Sequence, residues 1–113
     1  MFFLKKILSF GIALGILLYS AGGWAAQDVY VITIQDHQFF PAELTIPART
    51  KVKIIVENQD STPEEFESYD LNREKVVTGK GKITLYIGPL HPGKYKYFGD
   101  FHQNTAQGII IVK

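Results

Sequence analysis

The 113-residue sequence contains no cysteine. That absence excludes a disulfide, a thiolate metal ligand and a cysteine nucleophile. An excess of either charge is missing too. Twelve Lys and Arg face eleven Asp and Glu, a formal net charge of +1, which gives nucleic acid no basic face to bind. No serine stands in a recognisable nucleophile turn, and the chain is small for a sugar cleft between paired carboxylates. Hydrolytic readings are therefore set aside. At this length the chain is expected to form one domain, and beyond the N-terminal segment no stretch shows a helical period.

The N-terminus opens with Met1-Phe2-Phe3-Leu4-Lys5-Lys6, followed by an apolar stretch from Ile7 to Tyr19 and small residues up to Ala25. A basic start, a short apolar run and small residues at Gly23 and Ala25 form the layout of a secretory signal. The expected division is a signal peptide over residues 1–25 and a domain over 26–113. An uncleaved membrane anchor is the alternative, but the run falls short of the roughly 20 residues that span a bilayer. No cysteine near the junction offers a lipid attachment point. Without Lys5 and Lys6 the remaining domain is near neutral, with its acidic groups gathered at Glu57, Asp60, Glu64, Glu65, Glu67, Asp70 and Glu74.

The rest of the chain is written in short β-branched and aromatic segments. Residues 29–34, 42–46, 51–57 and 82–87 read as strands. The segments 66–71 and 74–77 are shorter candidates, and 95–98 and 108–112 close the chain. Turn-forming residues fill 58–63 and 88–93. Short strands at this spacing predict an all-β, two-sheet antiparallel sandwich.

The C-terminal segment runs Gly93-Lys94-Tyr95-Lys96-Tyr97-Phe98-Gly99-Asp100-Phe101-His102, then Gln107-Gly108 and an apolar strand. It resembles the last strand pair of the cupredoxins, small copper-binding Greek-key β-sandwiches. Their pattern there is Gly-x-Tyr-x-Tyr/Phe-x-Cys, then His, Met and Gly at fixed intervals. Tyr95 and Tyr97 take the aromatic places and His102 the histidine place, while Gly99 replaces the cysteine and Gln107 the methionine. Phe39-Phe40-Pro41 through Pro47-Ala48 resembles the family's opening strands, with Arg49 where glycine is usual. Glu65-Phe66-Glu67-Ser68-Tyr69 fits the spacing of the run headed by the first histidine ligand, with Glu65 at the histidine place. The stretch Glu64–Glu74 and the pair Gly99–His102 and Ala106–Gly108 are similar to an exported, iron-uptake-associated branch of the family. That resemblance implies a periplasmic protein that binds copper, iron or both, with ferrous iron oxidation and an iron permease or another periplasmic uptake component as partner. A membrane would be met only through that partner.

A blue-copper centre needs a thiolate, which this chain lacks. Carboxylate and imidazole ligands suit type-2-like Cu(II) or iron instead. Residues i and i+2 of a strand share a face, so Glu65 and Glu67 are expected to point together, with Asp100 and His102 doing the same around Phe101. The candidate metal ligands are Glu65, Glu67, Asp100 and His102, with Glu74 and Gln107 behind them. Crowded carboxylates raise one another's pKa unless a cation intervenes, and a metal ion or Arg73 would relieve that. The plainer readings are a solvated acidic surface, Asp100 as a turn acceptor and Glu74 paired with Arg73. His37 and His91 are read as exposed turn residues. Two functions stay open: a metalloprotein that assists Fe(II) oxidation or iron delivery, and a non-redox metal chaperone or partner-docking module that uses its acidic face.

Overall fold

A computed structural model of the chain describes residues 28–113. The expected signal segment lies outside them. Nine strands form two sheets: β1 (Val29–Gln35), β2 (Gln38–Phe40), β3 (Glu43–Ile46), β4 (Val52–Asn58), β5 (Glu64–Ser68), β6 (Arg73–Val77), β7 (Lys82–Ile87), β8 (Gly93–Gly99) and β9 (Gln107–Val112). A 3₁₀ turn over Asp100–His102 is the only helical element among the described residues. One sheet has the order β2-β1-β4-β7 and the other β3-β9-β8-β5-β6. The two-sheet all-β architecture is as expected. The sheets are mixed rather than purely antiparallel, because β1 runs parallel to β4 and β3 parallel to β9. Long crossovers make those two pairings, and no local turn signal encodes them.

Strand alternation builds the core. In β4, Val52, Ile54 and Val56 are buried while Lys53, Ile55 and Glu57 are half-buried. Across the interface, Phe39, Phe66 and Tyr97 form an aromatic cluster. The Phe66 and Tyr97 rings stack at 4.9 Å, and Phe39 meets both edge-on. Burial raises the Tyr97 phenol above its usual pKa, so the residue serves as a neutral packing group.

The same alternation fixes β5. Phe66 points inward, so Glu64 and Ser68 must share its buried face while Glu65 and Glu67 take the opposite one. The ladder between β5 and β8 is short, pairing Phe66 with Gly99 and Glu67 with Phe98. Side chains extend it. Ser68 Oγ donates to the Lys96 carbonyl (2.6 Å) and accepts the Leu71 amide (3.0 Å), while Asp70 accepts the Lys96 amide (2.8 Å).

Buried Asn58, at the end of β4, ties down the loop that leads into β5. Its Nδ2 donates to the carbonyls of Thr62 (2.9 Å), Val77 (3.3 Å) and Thr78 (3.2 Å), and its Oδ1 accepts the Asp60 amide (3.0 Å). Replacement by alanine strands several of these partners. Because each buried unsatisfied group costs about 1–3 kcal/mol, Asn58→Ala is expected to lower unfolding free energy by roughly 2–3 kcal/mol in urea denaturation. A loss below about 0.5 kcal/mol, the range of ordinary surface changes, would show that the loop does not depend on this side chain.

Candidate metal centre

Three exposed-face carboxylates converge at one end of the five-stranded sheet. Glu65, Glu67 and Asp100 each offer an oxygen, and all three lie within 4.8 Å of one another. Strand β5 supplies the two glutamates, and the turn after β8 brings in Asp100. Glu74 lies opposite Glu67 across the β5–β6 pair. Among the described residues no lysine or arginine forms an ion pair with this group. Arg73 does not relieve the crowding, since its guanidinium donates to the carbonyls of Leu71, Asn72 and Tyr86. Asp100 does act as a turn acceptor, taking a 2.7 Å hydrogen bond from Gln103 Nε2.

The crowding shows in the titration of these groups. Partial desolvation, then the fields of Glu74, Glu67 and Asp100 and a hydrogen bond to Asp100, push the Glu65 carboxyl above the ordinary glutamate value. Glu67 is raised by partial desolvation, then by Glu74 and Asp100. Such a cluster is costly when bare and well matched to a hard cation with oxygen ligands.

His102 departs from the expected placement. Asp100 and His102 lie in a 3₁₀ turn, not a strand, so the i, i+2 rule does not put them on one face. The His102 Nδ1 turns inward, 2.7 Å from Glu64 Oε2. Its ring stacks on His37, with centroids 3.6 Å apart and planes 12° from parallel. His37 is therefore not a free turn residue. It occupies a two-residue turn between β1 and β2 in which Asp36 and His37 both have positive φ (53° and 57°). Asp60 accepts the amides of both (2.9 and 3.0 Å). Burial works to raise the Asp60 carboxyl, but those amides and the nearby histidines outweigh it and hold it below the usual range. Thr105 Oγ1 donates to the His37 carbonyl at 2.5 Å, which joins this turn to the loop after His102. Both imidazoles and Asp100 line one open recess of about 620 Å³.

Glu64, not among the expected ligands, occupies the interior. Only 1% of it is exposed. Its Oε1 accepts the amides of Glu65 and Phe101, each at 2.9 Å, and its Oε2 meets His102. Glu64 and Glu65 are one residue apart and stand on opposite faces of the sheet, and it is Glu64 that lies beside Gly99 and His102. The parity of Phe66 was the available signal.

The remaining candidates stand apart. Gln107 donates through Nε2 to the Gln103 carbonyl at 2.7 Å, so its amide is engaged within its own loop. Glu74 is exposed on an edge strand and adds charge to the cluster from β6. His91 is exposed, as expected.

A sequence model described as the cupredoxin-like domain matches residues 8–112, and the chain belongs to that family. An uncharacterized protein of Rickettsia prowazekii (strain Madrid E) is 56% identical over 81 residues, which are 72% of this chain and 65% of the relative's length. Among solved structures, a purple cupredoxin from Nitrosopumilus maritimus is 22% identical with a TM-score of 0.59, covering 74% of this chain and 99% of that one. Auracyanin A, a blue copper protein of Chloroflexus aurantiacus, is 15% identical with a TM-score of 0.66, covering 78% and 100%. Amicyanin from Paracoccus versutus is 19% identical with a TM-score of 0.62, covering 80% and 87%. These likenesses establish the shared fold.

The thiolate-ligated blue-copper centre does not fit these residues, which include no cysteine. A Cβ placed on Gly99, the family's thiolate position, would lie 2.6 Å from the Glu64 carboxyl carbon and 2.7 Å from the Ala106 Cβ. The cavity is filled by a carboxylate and a methyl group. Gly99→Cys is accordingly expected to destabilise the protein by about 1–3 kcal/mol, the usual range for overpacking, and to give no intense blue colour with Cu(II). A stable, blue Gly99→Cys protein would contradict the filled cavity.

The carboxylate cluster has its own test. A carboxyl whose pKa is raised on folding binds its proton more tightly in the native state. Native stability therefore falls as pH climbs from the ordinary glutamate range through the raised values. Glu67→Gln is expected to raise the melting temperature of metal-free protein at neutral pH. The gain should vanish under acid conditions, where the wild-type carboxyl is already protonated. A gain independent of pH would place its origin elsewhere.

Proposed function

We propose that this member of the cupredoxin-like family is an exported metal-binding protein of a bacterial ferrous iron uptake system, and that it binds iron or Cu(II) through Glu65, Glu67 and Asp100. The observation that carries the reading is the convergence of three carboxylates within 4.8 Å with no lysine or arginine ion-paired to them among the described residues. His102 supports it. A histidine whose Nδ1 is held by a buried carboxylate is the arrangement that orients metal-binding imidazoles and leaves Nε2 as the donor. Its Nε2 makes no hydrogen bond among the described residues, and the ring lines the same recess as Asp100.

Hard, anionic oxygen ligands bind Fe(III) more strongly than Fe(II), which lowers the potential of bound iron and favours loss of one electron. Iron is the substrate in this reading. A Cu(II) ion, if held by carboxylate and imidazole ligands of this chain, would supply the acceptor for the one electron that iron gives up. The chain's own residues supply charge for the ion and an open approach to it. The periplasm is the proposed compartment, and an iron permease or another periplasmic uptake component the proposed partner.

A non-redox metal chaperone is the second reading, favoured by the filled copper cavity at Gly99. One experiment separates the two. Metal-free protein is titrated with Cu(II) under EPR, then Fe(II) is added without oxygen. The oxidase reading expects a one-to-one type-2 signal that disappears as Fe(III) forms. Persistence of the copper signal with no Fe(III) would leave only the chaperone, and weak, sub-stoichiometric binding of both metals would remove both readings.

A further inference from the structure

We propose that Glu64 is the positioning residue of the metal site: its buried carboxylate sets the separation of Glu65 from Asp100 and aims His102. The inference rests on the reading of Glu65, Glu67 and Asp100 as metal ligands and adds a residue that touches no metal.

The geometry is specific. One oxygen, Oε1, accepts the Glu65 and Phe101 amides, both at 2.9 Å. The first belongs to a ligand-bearing residue and the second to the neighbour of Asp100, so a single atom bridges the two backbones that carry the ligands. No ladder pair does this work, because the β5–β8 pairing ends at Phe66 and Gly99. Beyond that pair, Glu65 and Asp100 repel each other when both are ionised. The charge-assisted hydrogen bonds of Glu64 oppose that repulsion. The second oxygen takes His102 Nδ1 at 2.7 Å, and the ring is backed on one side by His37. All three groups meet one carboxylate, two at Oε1 and one at Oε2.

A glutamine has the same shape but accepts at one end only. Its amide nitrogen must face either the two backbone N–H groups or His102. Glu64→Gln is therefore expected to weaken Cu(II) binding by calorimetry about tenfold, the lower end for residues that orient metal ligands. It should also split the single Cu(II) EPR signal into several species. In metal-free protein, the Glu65 and Phe101 amides should exchange with deuterium at least tenfold faster. Glu67→Gln, a change in a ligand itself, should weaken binding while leaving those two amides protected. Glu64→Asp keeps the charge but is one methylene too short to span both sets of donors, and is expected to act in the same direction if the glutamine variant does not fold.

Binding within twofold of wild type, an unchanged EPR signal and protected amides in Glu64→Gln would overturn the positioning role while leaving the metal site standing. Absence of Cu(II) binding in the wild type would instead overturn the metal site and this inference with it. The exchange rates of metal-free protein distinguish the two failures.

Discussion

A charged side chain in a protein interior is tolerated when donors surround it, and Glu64 shows what such an arrangement organises. Its carboxylate, 1% exposed, takes two backbone amides and one imidazole. Removing any of the three would leave a buried anion short of a partner, a loss larger than that of an ordinary surface hydrogen bond. The 3₁₀ turn, the start of β5 and the orientation of His102 are therefore fixed together. Behind His102, the stacked His37 ring and its own anchors at Asp60 and Thr105 close the assembly.

The same carboxylate separates this chain from the copper proteins whose fold it shares. In the sandwich frame the place of the thiolate is Gly99, and the space beside it holds Glu64 and Ala106. The proposed metal ligands lie instead on the outer face of the sheet, where Glu65, Glu67 and Asp100 meet. The difference is a matter of strand parity. Glu64 and Glu65 are adjacent in sequence and emerge on opposite sides of β5. One builds the support and the other belongs to the charged surface. Partial desolvation and the neighbouring carboxylates raise the pKa of both Glu65 and Glu67 there.

Much of this was legible in the sequence, and the failures have physical causes. Alternation in β3 and β7, the apolar run of β4 and the Tyr95/Tyr97 spacing led to the sandwich. The outward pairing of Glu65 and Glu67 followed from the inward Phe66. The parallel pairings β1–β4 and β3–β9 were not legible, because they join segments distant in sequence. The expected strand over 66–71 is displaced to Glu64–Ser68, where Asp70 and Ser68 turn the chain against Lys96. The expectation of Asp100 and His102 on one face failed because extended geometry gives way to a 3₁₀ turn at Asp100. His37 read as exposed, since stacking between two loops leaves no local trace. Arg49, where the family has glycine, adopts a φ of 57°, so the backbone kept the glycine conformation although the residue changed.

The most direct test of where metal binds is anomalous diffraction from crystals loaded with Cu(II) or Fe(III). The anomalous peak is expected among the carboxylates of Glu65, Glu67 and Asp100 on the outer face of β5, with Glu64 still hydrogen-bonded to Phe101 beneath it. A peak inside the sandwich beside Gly99, with the Glu64 side chain swung away, would contradict this placement.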